Sequence, residues 1–450
     1  MPARLRYLAI ACALGALLAA GMPAQAGHKN DPRTKNLHPL GHIEESAALG
    51  GVGGADPDVH TDIAFWEDLA IQGNWDGFNI RDISAPGNPK QISRTFCDGD
   101  QGDVVVWDNI VVRSWNSPTP SSGRICDGVP VAPGFEGLHV FDISNLANPV
   151  LVAQVATPCG SHTATGVPDL ANNRLLIYNS PSNATCPGIG IVSVPLNAPA
   201  TSSFLSQINM GRSCHDTGVI LGDEMIGGCA GGNGFTLFRI PSLAAPVPYH
   251  SQAVAGVTIG HSASFTWDGE VLIFGHEPGG GTQPRCDADD PPSDRTFFFY
   301  DTDDAADDGT VTGTPMGQWT LPRLQDNTQN CTLHNYNLVP LPSGNDIITH
   351  GSYQSGTSLV DMTDPAAATE LAWSDPPSLG SGPFCDPDAG GPAPGTCLAG
   401  GAWSSYWYNG FVYETNITEG LNIFRFSGNE TAGALRLDHL NPQTQEFTIG

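Results

Sequence analysis

Histidine recurs at one position of a repeated strand pattern, and this arrangement is the one in the chain best suited to chemistry. Five of the 13 histidines occupy that position, and a sixth copy of the pattern carries glutamine there. The aligned residues are His60, Gln101, His162, His215, His261 and His334, followed by Ala402 in the seventh copy. Imidazoles that converge on one point suit copper, zinc, manganese or iron, with carboxylate or amide groups completing the coordination. We predict the six residues before Ala402 as ligands of a transition metal.

We expect a second set of side chains around the same point. Each strand-like segment that starts at an aligned position is followed by another such segment, and these side chains lie where the following segments end. These ends are Asn74, Asn179, His276-Glu277, His350 and Glu414, while Asp62, Asp103 and Asp216 lie one or two residues beyond the aligned positions. A metal ion at the open end of the ring of repeats would retain coordination positions for water or substrate, as Lewis-acid or redox catalysis requires. We predict His276 and Glu277 as the catalytic acid/base pair.

Two other interpretations of the histidines stay open. A histidine at a repeat start can be a structural residue that hydrogen-bonds the backbone of a neighbouring unit. The ring of imidazoles can also bind an anionic ligand without metal, because protonated histidine is available near its unperturbed pKa of about 6.5. In a separate, non-catalytic interpretation, the protein is an extracellular platform whose loops or central opening bind a protein partner, a glycan or a surface.

The elements that carry these residues form two series of short, strand-like runs. One series begins with GFNIRDIS at Gly77, GLHVFDIS at Gly137, GIGIVSVP at Gly188 and GFTLFRIP at Gly234, with looser copies at Thr296, Gly356 and Gly420. Successive starts lie between 46 residues (188 to 234) and 64 residues (356 to 420) apart, which is room for about four short strands. Seven such units predict an all-β, seven-bladed β-propeller rather than a β-sandwich.

The last unit has no outer strand of its own after Phe426. The segment Leu37–Ile43 (LHPLGHI) resembles the outer strands of the first two units. We therefore predict that an N-terminal strand closes the ring. The predicted divisions are a signal peptide at 1–26, a linker at 27–36, the propeller at 37–430 and a C-terminal tail at 431–450.

The N-terminus and the cysteines predict export. Arg4 and Arg6 precede an apolar run and the small-residue site Ala24-Gln25-Ala26, which is the pattern of a secretory signal. Ten cysteines follow this segment, an even number that favours disulfides in an oxidising compartment. Pairing of sequence neighbours would give Cys97–Cys126, Cys159–Cys186, Cys214–Cys229, Cys286–Cys331 and Cys385–Cys397.

The composition argues against two classes of partner. The formal net charge is −28, with 18 Lys and Arg against 46 Asp and Glu. Nucleic acids and anionic membrane surfaces both attract basic proteins, so we expect neither, and no later segment is apolar enough for membrane insertion. The acidic stretch Asp301–Asp308 fits either a surface Ca²⁺ site or a solvated loop, although it lacks EF-hand spacing.

Several stretches resemble the LVIVD-repeat family of secreted bacterial propellers. They are the GLHVFDIS-type strands, Ser213–Asp216 (SCHD), His261–Gly269 (HSASFTWDG), Cys331–Pro340 (CTLHNYNLVP) and Trp403–Gly410 (WSSYWYNG). The resemblance spans roughly residues 37–427 and implies the propeller fold and secretion, whereas most of that family has no established activity.

Two kinds of propeller enzyme are similar in layout only. Oligogalacturonate lyases hold a metal at the propeller centre through His and Gln, and the selenium-binding protein/methanethiol oxidase family has axial histidines linked to copper. The substrate of neither family is carried over to this chain. A metal ion in the ring leaves lyase-type proton abstraction and metal-dependent oxidation both open, on a small-molecule or glycan ligand.

Overall fold

The protein is a seven-bladed β-propeller, as predicted. The computed structural model describes residues 31–43, 59–99, 101–281, 283, 285, 287–302, 313–325, 329–375, 401–417 and 419–450. Within these residues, seven sheets of antiparallel strands form the ring, and the helical content is limited to short 3-10 turns. These turns are Leu170–Asn172, Pro199–Thr201, Pro292–Arg295 and Pro365–Ala367.

Each blade has four strands, which lie in order from the channel outwards. Blade 1 comprises His60–Trp66, Leu69–Asn74, Gly77–Asp82 and Lys90–Phe96. Blade 2 comprises Val104–Trp107, Ile110–Trp115, Gly137–Asp142 and Val150–Ala156, with an inserted hairpin of Arg124–Cys126 and Val129–Val131. Blade 3 comprises Ala164–Asp169, Arg174–Asn179, Ile189–Pro195 and Ser203–Ile208.

The remaining blades follow the same order. Blade 4 comprises Asp216–Ile220, Ile226–Gly231, Gly234–Arg239 and Val247–Ala253. Blade 5 comprises Gly260–Phe265, Val271–His276, Thr296–Asp301 and Gly317–Thr320. Blade 6 comprises Tyr336–Leu338, Ile347–Gly351, Thr357–Asp361 and Thr369–Ser374. Blade 7 comprises Ala402–Tyr408, Phe411–Asn416, Gly420–Phe426 and, from the N-terminus, Leu37–Ile43.

The N-terminal strand closes the ring. Leu37–Ile43 pairs antiparallel with Gly420–Phe426, from Leu37 opposite Phe426 to Ile43 opposite Leu421. Leu37 is fully buried in the core between blades 6 and 7. The predicted exchange of the outer strand is therefore confirmed, and the two ends of the propeller domain are tied together in one sheet.

The glycine that begins the third strand of blades 1 and 2 has a steric cause. Gly77 has a φ of +141°, and a Cβ there would lie 1.8 Å from the carbonyl oxygen of Thr95 on the outer strand. Gly137 repeats the arrangement with a φ of +154° and 2.1 Å to the oxygen of Val155. Only glycine tolerates both the backbone conformation and the close approach.

Among the described residues, seven clusters of the hydrophobic core lie one between each pair of neighbouring blades, and an eighth, smaller cluster comprises Val59, Trp75, Tyr353, Trp403 and Ile417. The seam between blades 1 and 2 includes Phe78 and Phe141, whose ring centroids are 4.9 Å apart. The seam between blades 7 and 1 includes Phe65 stacked on Tyr408 at 4.6 Å. Full burial of one such side chain contributes about 1.5–3 kcal/mol, so each seam fixes the angle between its blades.

Residues 431–450, which we call the C-terminal strap, run across the inner strands of the propeller. His439–Leu440 pairs with Phe65 and Trp66 of blade 1, and Thr444–Gln445 pairs in parallel with Val219 and Ile220 of blade 4. Further backbone hydrogen bonds join the strap to blades 5 and 6, at Trp267 and Pro340. The predicted tail therefore packs on the propeller.

Three of the predicted disulfides are present: Cys97–Cys126, Cys159–Cys186 and Cys214–Cys229. The other two predicted pairs include Cys286, Cys385 and Cys397, which lie outside the described residues, as do the signal peptide and most of Asp301–Asp308. No helix in the described part of the chain is long and apolar enough to cross a membrane.

Candidate metal centre in the channel

Four of the predicted ligands meet at one point of the channel. His162, His215, His261 and His334 come from blades 3, 4, 5 and 6, at or just before the start of each inner strand. We call them the histidine cluster. Their successive ring centroids lie 4.2, 4.5 and 4.2 Å apart. The blades repeat around one axis, so residues at one repeat position necessarily face the same region.

The Nε2 atoms point towards one another. His162 Nε2 and His215 Nε2 are 3.0 Å apart. Two imidazole nitrogens bound at right angles to one metal ion, each at about 2.1 Å, would be separated by about 3.0 Å. The spacing therefore fits two adjacent ligands of a single ion.

Glu277, which directly follows the second strand of blade 5, faces the same point. Its Oε2 lies 3.7 Å from His215 Nε2 and 3.9 Å from His261 Nε2, and its Oε1 lies 3.5 Å from His334 Nε2. The ligand atoms of His215, His261 and Glu277 all fall within 4.8 Å of one another. The hydroxyl of Tyr353 donates a hydrogen bond to Glu277 Oε1, which fixes the carboxylate in this position.

Oxygen atoms behind the rings set the tautomers of the imidazoles. His162 Nδ1 lies 2.7 Å from the side-chain oxygen of Asn116, and His334 Nδ1 lies 2.5 Å from the backbone oxygen of Trp403. An amide oxygen only accepts, so each Nδ1 carries the proton and each Nε2 presents a lone pair. This is the arrangement that orients histidine ligands in metal sites. Asp216 Oδ2 faces Nδ1 of His261 at 3.9 Å.

Burial keeps the imidazoles uncharged. It lowers the pKa of His162 to about 4 and that of His334 to about 3. Burial, and then the neighbouring imidazoles, also lower the pKa values of His215 and His261 well below their usual range. Conversely, burial raises the pKa of Glu277 to about 7, against the opposing effect of the Tyr353 hydrogen bond. At neutral pH the cluster thus offers neutral nitrogen donors, the form that binds metals.

Solvent reaches the cluster on one side. The side chain of His215 is 23% exposed, whereas those of His261, His334 and Glu277 are between 2% and 6% exposed. The opposite side is apolar, because Tyr353 and Trp403 pack on the His334 ring at 4.6 and 4.8 Å. A small molecule would approach along the His215 side.

The hydrogen bonds, ion pairs and ring contacts given above for the histidine cluster do not include His60 or Gln101. His60 is fully buried, its backbone N–H donates to the oxygen of Ile417, and burial lowers its pKa to about 3. Gln101 lies in the loop before the inner strand of blade 2, with a φ of 46°.

His276 bonds to groups of its own blade. Its Nε2 accepts from the N–H of Thr258 at 3.1 Å, and its Nδ1 lies 3.3 Å from the oxygen of Ser293. Both ring nitrogens are thus engaged by the backbone. Glu277, the next residue, faces the histidine cluster. Successive side chains of an extended segment point to opposite sides, so His276 and Glu277 contact different groups.

Sequence reasoning did not single out Asn116, Tyr353 or the backbone oxygen of Trp403. Asn116 directly follows the second strand of blade 2, and Tyr353 follows the second strand of blade 6 by two residues. Both positions are loop residues near the channel mouth. A position just after a second strand predicts a place near the channel, but only when the strand boundaries of the blade are already known.

Comparison with known proteins supports the repeat family and leaves the function open. The LVIVD repeat family model matches residues 131–157, so the predicted resemblance is confirmed at this repeat. No curated protein matches the chain. Among solved structures, the computationally designed Ika8 protein is similar at 12% identity with a TM-score of 0.45, covering 86% of this chain and 99% of its own. A functionally unknown protein from Desulfotomaculum acetoxidans has the same identity and TM-score, with coverages of 71% and 90%.

Proposed function

We propose that the protein is a secreted metalloenzyme that holds one transition metal ion between the histidine cluster and Glu277. The observation that carries this proposal is the convergence of ligand atoms. His162 Nε2 and His215 Nε2 are 3.0 Å apart, and the ligand atoms of His215, His261 and Glu277 lie within 4.8 Å of one another. The Nδ1 atoms of His162 and His334 face the oxygens of Asn116 and Trp403, an arrangement that leaves their Nε2 atoms available to a metal ion.

The donor set favours iron, manganese or copper over zinc. The ligands are imidazole and carboxylate, with no thiolate, which suits all four metals. Catalytic zinc sites use three protein ligands and four-coordinate geometry. Four imidazoles and a carboxylate exceed that number. An ion that accepts five or six ligands would retain a position for water or substrate on the exposed side of His215.

The bound ion would supply Lewis-acid or redox chemistry, consistent with lyase or oxidation reactions. Without the ion, burial raises the pKa of Glu277 to about 7, so binding of the ion would release a proton from this carboxyl group near neutral pH. Tyr353 keeps Glu277 Oε1 oriented while Oε2 faces His215 and His261. The aromatic side chains beside His334 exclude water from the opposite side of the site.

Secretion is part of the proposal. It is supported by the signal-like residues 1–26 and by three disulfides, which persist in oxidising compartments. The alternative, a non-catalytic binding platform, has support in Ile125, Val129 and Val150 of blade 2. These are 40–47% exposed apolar side chains on the inserted hairpin and the outer strand. A platform of this kind has no need of a metal ion.

Metal content tests the proposal. Residues 27–450, exported through an oxidising compartment without a His-tag, are reconstituted with iron, manganese, copper or zinc and measured by plasma mass spectrometry. We expect about one ion per chain in the wild type and less than a tenth of that in His215→Ala/His261→Ala.

The matched control is His38→Ala/His250→Ala, which removes the same number of histidines from outer strands and should retain the ion. Folding of each variant is checked by its thermal midpoint. Absence of bound metal in the folded wild type after all four reconstitutions would overturn the proposal and favour the binding platform.

A further inference from the structure

Disulfide-bonded cysteines lie just before three of the four residues of the histidine cluster. Each is one or three residues from its histidine: Cys159 precedes His162, Cys214 precedes His215, and Cys331 precedes His334. The cysteine nearest in sequence to His261, the fourth member, is Cys286, which is 25 residues away. The disulfides are thus placed to act on the proposed metal site, and the inference below rests on that proposed function.

The three histidines that follow these cysteines lie in loops. His162 and His334 are two residues before the inner strands of blades 3 and 6, and His215 is one residue before that of blade 4. By contrast, His261 lies within the inner strand Gly260–Phe265, and residues on both sides of it pair with the second strand of blade 5. Strand pairing therefore fixes the backbone of His261, whereas the loop histidines need another constraint.

The bond between Cys214 and Cys229 joins the residue before His215 to the second strand of the same blade. Cys229 belongs to the strand Ile226–Gly231, and the next residue, Ala230, accepts a hydrogen bond from the N–H of His215 at 2.6 Å. Both cysteines are fully buried in the core between blades 3 and 4. A covalent bond and a hydrogen bond thus hold the backbone of His215 at two adjacent positions.

The bond between Cys159 and Cys186 joins the loop that carries His162 to the loop after the second strand of blade 3. Two backbone hydrogen bonds accompany it: the N–H of Asn183 donates to the oxygen of Cys159 at 3.3 Å, and the N–H of His162 donates to the oxygen of Ser180 at 2.8 Å. Cys186 is half-buried, so reagents in solution can reach this bond.

His162 and His215 belong to different blades, and their Nε2 atoms are only 3.0 Å apart. Ligands that are already held in the binding geometry lose less conformational freedom when the ion binds, and a disulfide is one way to hold them. Without the two disulfides, both loops would be freer, and binding of the ion would have to remove that freedom. The affinity for the ion should therefore depend on the oxidation state of these cysteines.

We propose that Cys159–Cys186 and Cys214–Cys229 are positioning bonds for the histidine cluster, so that their formation raises the affinity for the transition metal ion. In each case two thiols lose two protons and two electrons to a disulfide oxidant, which is reduced to two thiols. Such oxidants act in the oxidising compartments where structural disulfides form. The newly made chain, with free thiols, binds the ion weakly, and metal loading follows export.

Two variants that each lack one disulfide test the inference. Cys159→Ala/Cys186→Ala removes the bond beside His162, and the control, Cys97→Ala/Cys126→Ala, removes a bond between the end of blade 1 and the inserted hairpin of blade 2. The bonded cysteines are 27 and 29 residues apart, so the two losses should destabilise the fold by similar amounts. Competition titration against a chelator measures affinity, and the thermal midpoint without metal measures stability.

We expect Cys159→Ala/Cys186→Ala to bind the ion about tenfold more weakly than the wild type, or weaker still, and the control to bind it as tightly as the wild type. A purely structural role would lower the thermal midpoint of both variants and change the affinity of neither. That result would overturn this inference and leave the proposed metal site in place.

A second measurement keeps the test decisive if Cys159→Ala/Cys186→Ala fails to fold. Folded wild type is reduced briefly with a phosphine, alkylated with iodoacetamide and freed of both reagents, and peptide mapping gives the fraction of Cys159–Cys186 that was cleaved. Affinity for the ion should fall as this fraction rises, and an affinity that stays constant would overturn the inference alone. Absence of metal binding by the fully oxidised wild type would overturn the inference together with the proposed function.

Discussion

Two imidazoles of the histidine cluster keep their Nε2 lone pairs available because a neighbouring oxygen accepts each Nδ1 proton. For His162 this oxygen belongs to a side chain, that of Asn116, and for His334 it belongs to the backbone of Trp403. The side-chain acceptor can be changed by substitution and the backbone acceptor cannot. Asn116 is therefore the position at which the orienting role can be tested.

We predict that Asn116→Ala weakens the affinity for the transition metal by about 10- to 100-fold, the usual cost of losing a group behind a histidine ligand. Asn116→Asp retains an acceptor at the same place and should bind nearly as tightly as the wild type. Competition titration against a chelator of known affinity measures both. Equal affinities for Asn116→Ala and wild type would show that His162 is not oriented in this way.

The histidine cluster could be predicted from the sequence only in part. Pseudo-symmetry places equivalent repeat positions around one axis, so His162, His215, His261 and His334 were predictable. The same reasoning included His60 and Gln101, since a repeat position does not reveal which members of a ring face one another. Tyr353 was beyond reach because its contact with Glu277 depends on a loop that follows no repeat.

At the scale of strands and turns, the blades were predictable because each carries its own signal. A glycine at or just before the third strand marks six of the seven blades, and the alternating pattern of the inner strands marks the units as well. The missing outer strand of blade 7 pointed to Leu37–Ile43. The pairing of the C-terminal strap was not predictable. Its strands, His439–Leu440 and Thr444–Gln445, have two residues each and no periodic pattern.

Asp346, in a turn of blade 6, should make the stability of the folded protein depend on pH. Burial, followed by the charges of Asp268, Asp361 and Glu270, raises the pKa of Asp346 from its ordinary value of 3.8 to about 7. The folded protein thus binds more protons here than the unfolded chain between pH 3.8 and 7. By linkage, this carboxyl destabilises the fold above pH 7, and the penalty disappears as the pH falls to about 4.

We therefore expect Asp346→Asn to be more stable than the wild type at pH 8 and to lose that advantage by pH 4. Urea unfolding midpoints of the two proteins at pH 8, 6 and 4 provide the comparison. If the difference in unfolding midpoint between the two proteins were the same at pH 8, 6 and 4, this would contradict a raised pKa of Asp346.

At the scale of the whole molecule, the propeller is held by seven separate seams and by one segment that crosses several of them. The C-terminal strap buries Leu440 and Asn441 against blades 1 and 2, and the Thr444 hydroxyl donates to the oxygen of Gly166 in blade 3. Because the strap contacts strands far apart in sequence, it couples blades that do not touch each other. Its Gln443 also donates to Asp62 in the channel.

Truncation after residue 430 should consequently destabilise the protein by about 3 kcal/mol or more, from lost burial of Leu440 and several lost hydrogen bonds. Thermal unfolding of residues 27–430 against 27–450, followed by circular dichroism, measures the effect. An unchanged midpoint would show that the propeller is complete without its strap.

The most direct test of the central claim is an anomalous difference map, recorded at the absorption edge of the metal that the reconstituted protein retains. The arrangement of His162, His215, His261, His334 and Glu277 predicts one strong peak, at about 2.0–2.2 Å from the Nε2 atoms that bind it. A well-ordered cluster with no peak between its imidazoles, or with the retained metal bound elsewhere, would contradict the claim.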